Sequence, residues 1–205
     1  MKALFIRCYG KLTADMMIGG LIDMGVPPVY LKSKLKDAGL PDNFIEKPNP
    51  KAQISAHYFH IPPYGDKPLL LKQADLFRIW KDICSKGAPE WEETGWKVFS
   101  ALTAGVSHAI DEIPADVVDL RRAGVSEENL ISLYLFLACL DYLEVETLFT
   151  CPFTISKGKT EKGKSSAAIL TDAVSTVGKE VPAEDVDPFA AAMLEGLSAA
   201  FMPMD

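Results

Sequence analysis

The chain opens with a short apolar run followed by two helix-like segments that are separated by turn residues. Residues 2–9 are mostly apolar and predict a buried strand. Thr13 is a good N-cap for a helix that runs to about Met24, because its hydroxyl can accept a hydrogen bond from a first-turn amide. Pro27 introduces a second helix, which Gly39 ends. The pattern therefore predicts a strand, a helix, a short turn and a second helix.

The rest of the chain continues this alternation of extended and helical segments. Aromatic and β-branched residues predict strands over residues 44–46, 53–61 and 147–155. Apolar residues at helical spacing predict helices over residues 73–85, 90–110, 126–142, 167–177 and 189–201. We expect an α/β fold, with α+β as the alternative, in which a small mixed sheet of about four strands packs with about seven helices.

The length and the apolar runs predict how the chain is organised. At 205 residues it fits one domain. We predict a core α/β domain over residues 1–156, with a polar loop and C-terminal helices over residues 157–205 packed on it. The longest apolar stretch, residues 130–140, is well short of the roughly 20 residues that cross a bilayer. A cytoplasmic protein without membrane contact is therefore expected.

Charge and composition narrow the partners and cofactors. The chain has 21 Lys and Arg against 28 Asp and Glu, a net charge of −7, which argues against nucleic acid or anionic lipid as a partner. Its three histidines and four cysteines form a small supply of metal ligands, and no Cys-x-x-Cys pair is present. The residues by themselves therefore predict no cofactor.

The first turn, residues 9–15, is the best candidate for a ligand site. It joins the opening strand to a helix N-terminus, where backbone amides and the helix dipole favour an anion. We predict Lys11, Thr13 and Asp15 as ligand contacts. The segment has one glycine and fits neither of the common phosphate-loop patterns, so the alternative is a capped helix with no ligand.

His57 and His60 are the candidates for metal binding. They lie three residues apart in a predicted strand, where side chains alternate and the two imidazoles point to opposite faces. This spacing argues against one shared metal ion. No arrangement of Ser, His, Asp or Cys predicts a catalytic residue. The basic loop over residues 157–164 fits either an acidic ligand or an ordinary solvated loop.

Several segments carry a family resemblance. Residues 7–16 read RCYGKLTADM and residues 19–26 read GGLIDMGV. They resemble the D-C-F-S-G-I-S-G-D-M opening and following G-A-L-L-D-L-G-V helix of the LarC-type nickel-insertion proteins of nickel-pincer cofactor synthesis. Residues 106–108 (VSH) and 151–153 (CPF) are similar to later family segments. The resemblance covers the N-terminal half of that family.

The chain also departs from the family in two segments. The family's H-x-H-L and H-F-H-E-V-G-A segments stand here as residues 71–74 (LKQA) and 119–125 (DLRRAGV). The resemblance implies nickel, and CTP-dependent insertion of nickel into a sulfur-bearing pyridinium nucleotide. Imidazole is a good nickel ligand, and these segments lack it. Nickel or a nucleotide as cofactor is thus implied by the resemblance alone and not by the residues of this chain.

Three functions stay open at this point. The first is a divergent, shortened relative that does not bind nickel in the usual way and binds a nucleotide-like or phosphorylated ligand at the first turn. The second is a non-catalytic subunit that associates with itself or with a protein partner. The third is an intact enzyme that uses other residues. Any retained activity is expected to be nickel insertion into a pyridinium nucleotide.

Overall fold

A computed structural model describes residues 1–7, 11–48, 57–63, 72–110, 116–151, 164, 166, 168–170, 186–197 and 199–201. Its strands are β1 (Ala3–Ile6), β2 (Ile45–Pro48), β3 (His57–His60), β4 (Thr147–Thr150) and β5 (Ala200–Phe201). Its α-helices are α1 (Ala14–Asp23), α2 (Pro28–Asp37), α3 (Gln73–Gly87), α4 (Glu92–Ala109), α5 (Glu128–Tyr142) and α6 (Pro188–Gly196). Short 3₁₀ helices cover Pro89–Trp91 and Leu120–Ala123.

Local signals explain the opening of the chain, and the predicted strand, helix, turn and helix are confirmed. The Thr13 hydroxyl accepts a hydrogen bond from the Met16 amide at 3.2 Å and caps α1. Gly25 and Gly39 follow the two helices with φ of +108° and +67°, a backbone conformation that favours glycine. Thr13 thus marks where α1 begins, and the two glycines mark where α1 and α2 end.

The strands form two small sheets. β4 lies between β1 and β5 in a parallel sheet, with Leu4 opposite Leu148. β2 and β3 form an antiparallel pair in which Ile45 lies opposite His60. The α/β class is confirmed, with the parallel and antiparallel strands divided between two sheets.

Helix α5 forms the centre of the core. Every residue from Leu130 to Cys139 is buried, which explains why this helix is apolar on all sides. Helices α1 and α2 pack on it, and α6 packs on α4. The last contact is so close that a Cβ on Gly196 would lie 2.5 Å from the Cα of Val98. None of the helices in the described ranges is long and apolar enough to span a membrane.

The C-terminal region differs from its prediction. The helix expected over residues 189–201 ends at Gly196, and residues 200–201 form strand β5 beside β4. The apolar pattern could not separate a buried helix from a short buried strand that follows it. The predicted loop and helix over residues 157–177, including the domain boundary at 156, lie mostly outside the described residues. The boundary stays a prediction.

Candidate functional site

A cavity of about 690 Å³ lies between the N-terminal part of α1, strand β3 and the start of α5. Its lining includes all five residues that the sequence singled out, namely Lys11, Thr13, Asp15, His57 and His60. The chain reaches the cavity at Lys11. Buried Leu12 then fixes the backbone, because its carbonyl accepts a hydrogen bond from the Asp187 amide at 2.9 Å.

Asp15 lies in the first turn of α1 and makes contacts to two other elements. Its Oδ2 lies 3.1 Å from Nδ1 of His60 on β3. Its Oδ1 lies 3.3 Å from the hydroxyl of Ser132 on α5. Burial raises the pKa of the Asp15 carboxyl above its ordinary 3.8, while the hydrogen bond and charge of His60 act to lower it. Asp15 therefore connects three elements and holds a charge at a partly desolvated position.

His57 has a different set of partners. Its Nδ1 lies 2.6 Å from Oδ1 of Asp23, and its Nε2 lies 3.3 Å from Oε1 of Glu46. The backbone amide of His57 also donates to Oδ2 of Asp23 at 2.9 Å. A carboxylate only accepts hydrogen bonds, so both contacts are made at once when both ring nitrogens carry hydrogen. His57 thereby ties β3 to α1 and to β2.

Both histidines contact α1, although the alternation of side chains along a strand predicts that they point to opposite faces of β3. The backbone of His57 faces α1, because its amide bonds Asp23 and a Cβ on Gly19 would lie 2.7 Å from its carbonyl oxygen. One edge of β3 thus pairs with β2 while the other faces the helix. Side chains from both faces of such a strand can reach the helix. The carboxylate partners Asp15 and Asp23 are eight residues apart, about 12 Å along α1.

Several lining residues were not identified from the sequence as part of a site. These are Asp23, Ser126, Glu128, Asn129, Ser132 and Asp187. The predicted helix begins at Ser126, whose backbone amide donates a hydrogen bond to the side-chain oxygen of Asn129 at 2.8 Å. The N-cap role of Asp187 is equally local, since its carboxylate accepts from the Phe189 amide at 2.9 Å. Their meeting at one cavity depends on the tertiary fold, which local signals do not reveal.

The charges of the cavity suit a ligand of mixed charge. Among the described lining residues, Lys11 is accompanied by four carboxylates, those of Asp15, Asp23, Glu128 and Asp187. Three of these acids lie at the beginnings of α1, α5 and α6, where they satisfy the positive helix ends. A single anionic group can pair with Lys11, while the rest of the lining favours a cation or hydrogen-bond donors.

The described residues do not form a metal centre of their own. They contain no group of three or more His, Cys, Asp or Glu side chains placed to hold a metal ion. Both ring nitrogens of His57 already contact carboxylates. The described side chains alone therefore do not supply the donor set of a metal ion at this cavity.

Comparison with known proteins decides the family. The family model for the nickel insertion protein matches residues 4–205. The chain belongs to the nickel insertion protein family. The resemblance seen in residues 7–26 is thus confirmed and extends over nearly the whole chain. No solved structure matches it.

Relatives of the family come from several bacteria. Proteins named "Putative nickel insertion protein" from Synechococcus sp. (strain JA-3-3Ab) and Geotalea daltonii are 26% and 23% identical over 99% and 98% of this chain, and 53% of each relative is covered. A pyridinium-3,5-bisthiocarboxylic acid mononucleotide nickel insertion protein from Staphylococcus epidermidis is 23% identical over 98% of this chain and 52% of its own. The chain spans about half the length of the curated relatives it matches.

Proposed function

We propose that this member of the nickel insertion family binds a pyridinium mononucleotide, or a closely similar phosphorylated ligand, in the cavity between α1, β3 and α5. The observation that carries the proposal is the single lysine of the described lining, Lys11, beside four carboxylates. A mononucleotide with a pyridinium ring carries a phosphate, which suits Lys11, and a fixed positive charge on the ring, which suits the carboxylates. The cavity volume of about 690 Å³ is typical of small-molecule sites.

The phosphate is proposed to lie at the beginning of α1. Lys11 supplies a positive charge there. The Thr13 oxygen accepts from the Met16 amide, so its hydroxyl hydrogen remains available to donate to a phosphate oxygen. The pyridinium ring is then directed toward Asp15 and Asp23, whose carboxylates favour a cation.

The names of the relatives support this class of ligand. The relative from Staphylococcus epidermidis is named for nickel insertion into a pyridinium mononucleotide. We propose that the present chain acts on the same class of molecule, in the cytoplasm, and that it holds the organic ligand and does not retain nickel through a cluster of its own. The lack of a three-donor group among the described residues supports this division. Nickel is then a substrate that arrives with, or after, the organic ligand.

Thermal unfolding with a set of matched ligands tests the proposal. Nicotinic acid mononucleotide carries the ring and the phosphate, its riboside lacks the phosphate, and AMP lacks the pyridinium charge. At a hundred times its dissociation constant a ligand stabilises the folded state by about 2.7 kcal/mol, which corresponds to roughly 5–11 °C for a chain of this size. The mononucleotide should give the largest shift.

Two lysine variants test whether Lys11 contacts the phosphate of the ligand. Lys11→Met should abolish most of the shift caused by the mononucleotide and leave the small effect of the riboside unchanged. Lys36→Met is the matched control, because Lys36 is exposed near the end of α2 and does not line the cavity. Equal shifts for AMP and the mononucleotide, or an undiminished shift in Lys11→Met, would refute the proposed binding mode.

A second candidate function is self-association through the edge of the parallel sheet. A separate cavity of about 410 Å³ lies beside β1 and is lined by exposed apolar side chains of Phe5, Met16 and Met24. Among the described strands β1 lies at one edge of its sheet, and edge strands can pair with another chain. Sedimentation of the protein and of Phe5→Lys tests this candidate, which requires a dimer that the substitution dissociates.

A further inference from the structure

The two histidines of β3 are held in different ways. His57 has both ring nitrogens and its backbone amide engaged by Asp23 and Glu46. His60 has one ring nitrogen engaged, since its Nδ1 lies 3.1 Å from Oδ2 of Asp15. No described residue forms a hydrogen bond with Nε2 of His60, whose side chain is 41% exposed and lines the cavity. The geometry therefore leaves Nε2 of His60, a residue of the cavity lining, without a partner among the described residues.

Asp15 determines which nitrogen of His60 carries hydrogen. Its ionised carboxylate only accepts hydrogen bonds, so the 3.1 Å contact requires hydrogen on Nδ1. In the neutral imidazole Nε2 then carries the lone pair. Asp15 is itself held by the Ser132 hydroxyl at 3.3 Å and by a hydrogen bond from the Ile61 backbone. Burial raises the pKa of Asp15, so its carboxylate is also a better hydrogen-bond acceptor than an exposed one.

We propose that Asp15 and His60 form a proton-accepting dyad that acts on the bound ligand through Nε2 of His60. This inference rests on the proposed ligand-binding function of the cavity. An O–H, N–H or S–H bond of the ligand breaks, its electron pair stays on the ligand atom, and a new N–H bond forms at Nε2. The imidazolium is stabilised by the ionised Asp15. The proton then passes to water, which reaches the partly exposed ring.

Such a step matches the chemistry of metal insertion. A donor atom that still carries a hydrogen must lose it before it binds a metal ion, and a base must accept that proton. Proton transfer is favoured over direct metal binding because the described residues form no three-donor group around Nε2. Among the described residues, Tyr58 also has its ring near that of His60, at 6.3 Å between ring centres.

Nitrogen-15 NMR of the histidine rings tests the dyad without any ligand. The chain has three histidines, so His57→Gln, His60→Gln and His108→Gln variants assign every signal. At a pH where the rings are neutral, we expect hydrogen on Nδ1 of His60 and a lone pair on Nε2. Asp15→Ala should move the hydrogen to Nε2, the form that free imidazoles prefer in water. Ser132→Ala is the matched control, because it removes another contact of Asp15 and leaves the His60 contact intact.

Acylation by diethyl pyrocarbonate measures access to the lone pair. We expect His60 to react about tenfold faster than His57, the factor that one hydrogen bond to a charged group contributes. Hydrogen on Nε2 of His60 in the unsubstituted protein, or equal rates for the two rings, would overturn the dyad. So would stoichiometric Ni²⁺ that binds Nε2 in the absence of ligand, since that result makes His60 a metal ligand.

Acylation in the presence of a ligand separates this inference from the proposed function. Nicotinic acid mononucleotide should protect His60 from acylation. A correct tautomer without protection contradicts ligand binding in the cavity, and with it the action of the dyad on that ligand. If the mononucleotide protects His60 but NMR places the hydrogen on Nε2, ligand binding in the cavity is supported and only the dyad is overturned.

Discussion

Alanine in place of Gly19 should force α1 and β3 apart, whereas alanine in place of Gly20 should stabilise the protein. A Cβ on Gly19 would lie 2.7 Å from the carbonyl oxygen of His57 and 3.6 Å from the Cβ of Phe59. A real Cβ does not come so close to a backbone atom, so the helix or the strand must move by several tenths of an ångström. At Gly20 no described atom lies within 4 Å of the same position.

The pair of variants separates helix propensity from steric conflict. Each substitution gains up to about 1 kcal/mol because alanine favours a helix interior more than glycine does. Both variants have this gain, so the difference between their free energies of unfolding measures the steric conflict of residue 19 with β3. Forcing atoms into a packed site costs about 1–3 kcal/mol. His57 cannot easily yield, because its amide is bonded to Asp23 at 2.9 Å.

Urea and thermal unfolding, followed by circular dichroism, measure the effect. Gly20→Ala should raise the melting temperature by roughly 2–4 °C, the shift that about 1 kcal/mol produces in a chain of this size. Gly19→Ala should be less stable than Gly20→Ala by about 1–3 kcal/mol. If the two variants are stabilised equally, α1 and β3 do not approach as closely as described, and the wall of the cavity is placed wrongly.

Two further predictions concern titratable groups. Because burial raises the pKa of Asp15 above 3.8, the folded protein holds that proton more tightly than the unfolded chain, and this group lowers stability as pH rises through that range. Relative to the unsubstituted protein, the unfolding free energy of Asp15→Asn should therefore increase in urea titrations as pH rises above about 4, and a decrease would contradict the shift. Burial also raises the pKa of Cys84 and of Cys139 to about 12, so Ellman's reagent should modify partly exposed Cys151 well before either. Peptide mass spectrometry assigns the order, and early labelling of Cys139 would contradict its burial.

Local signals made the opening of the chain predictable. Thr13 caps α1 through one hydrogen bond to Met16, within a single turn. Gly25 and Gly39 end α1 and α2 because their positive φ angles suit glycine. These effects act over a few residues, so the sequence contains all the information that they require.

Contacts between distant segments were not predictable in the same way. Asp23 meets His57 across 34 residues, and Ser132 meets Asp15 across 117. Nothing in the sequence around Asp23 distinguishes it from an ordinary helix-end carboxylate. Strand β5 was missed for a related reason, since its two residues belong to an apolar stretch whose pairing with β4 depends on the whole fold.

One face of α1 explains how both histidines become part of the same cavity. Asp15, Gly19 and Asp23 recur every fourth residue and thus share a face of the helix. The eight residues from Asp15 to Asp23 span about 12 Å, and the three from His57 to His60 span about 10 Å in a strand. The two spacings match, so Asp15 pairs with His60 while Asp23 pairs with His57. Gly19 lies between the two acids because the carbonyl of His57 occupies the space of a side chain. A larger residue there would separate both pairs at once, so the packing of β3 and the orientation of His60 depend on the same glycine.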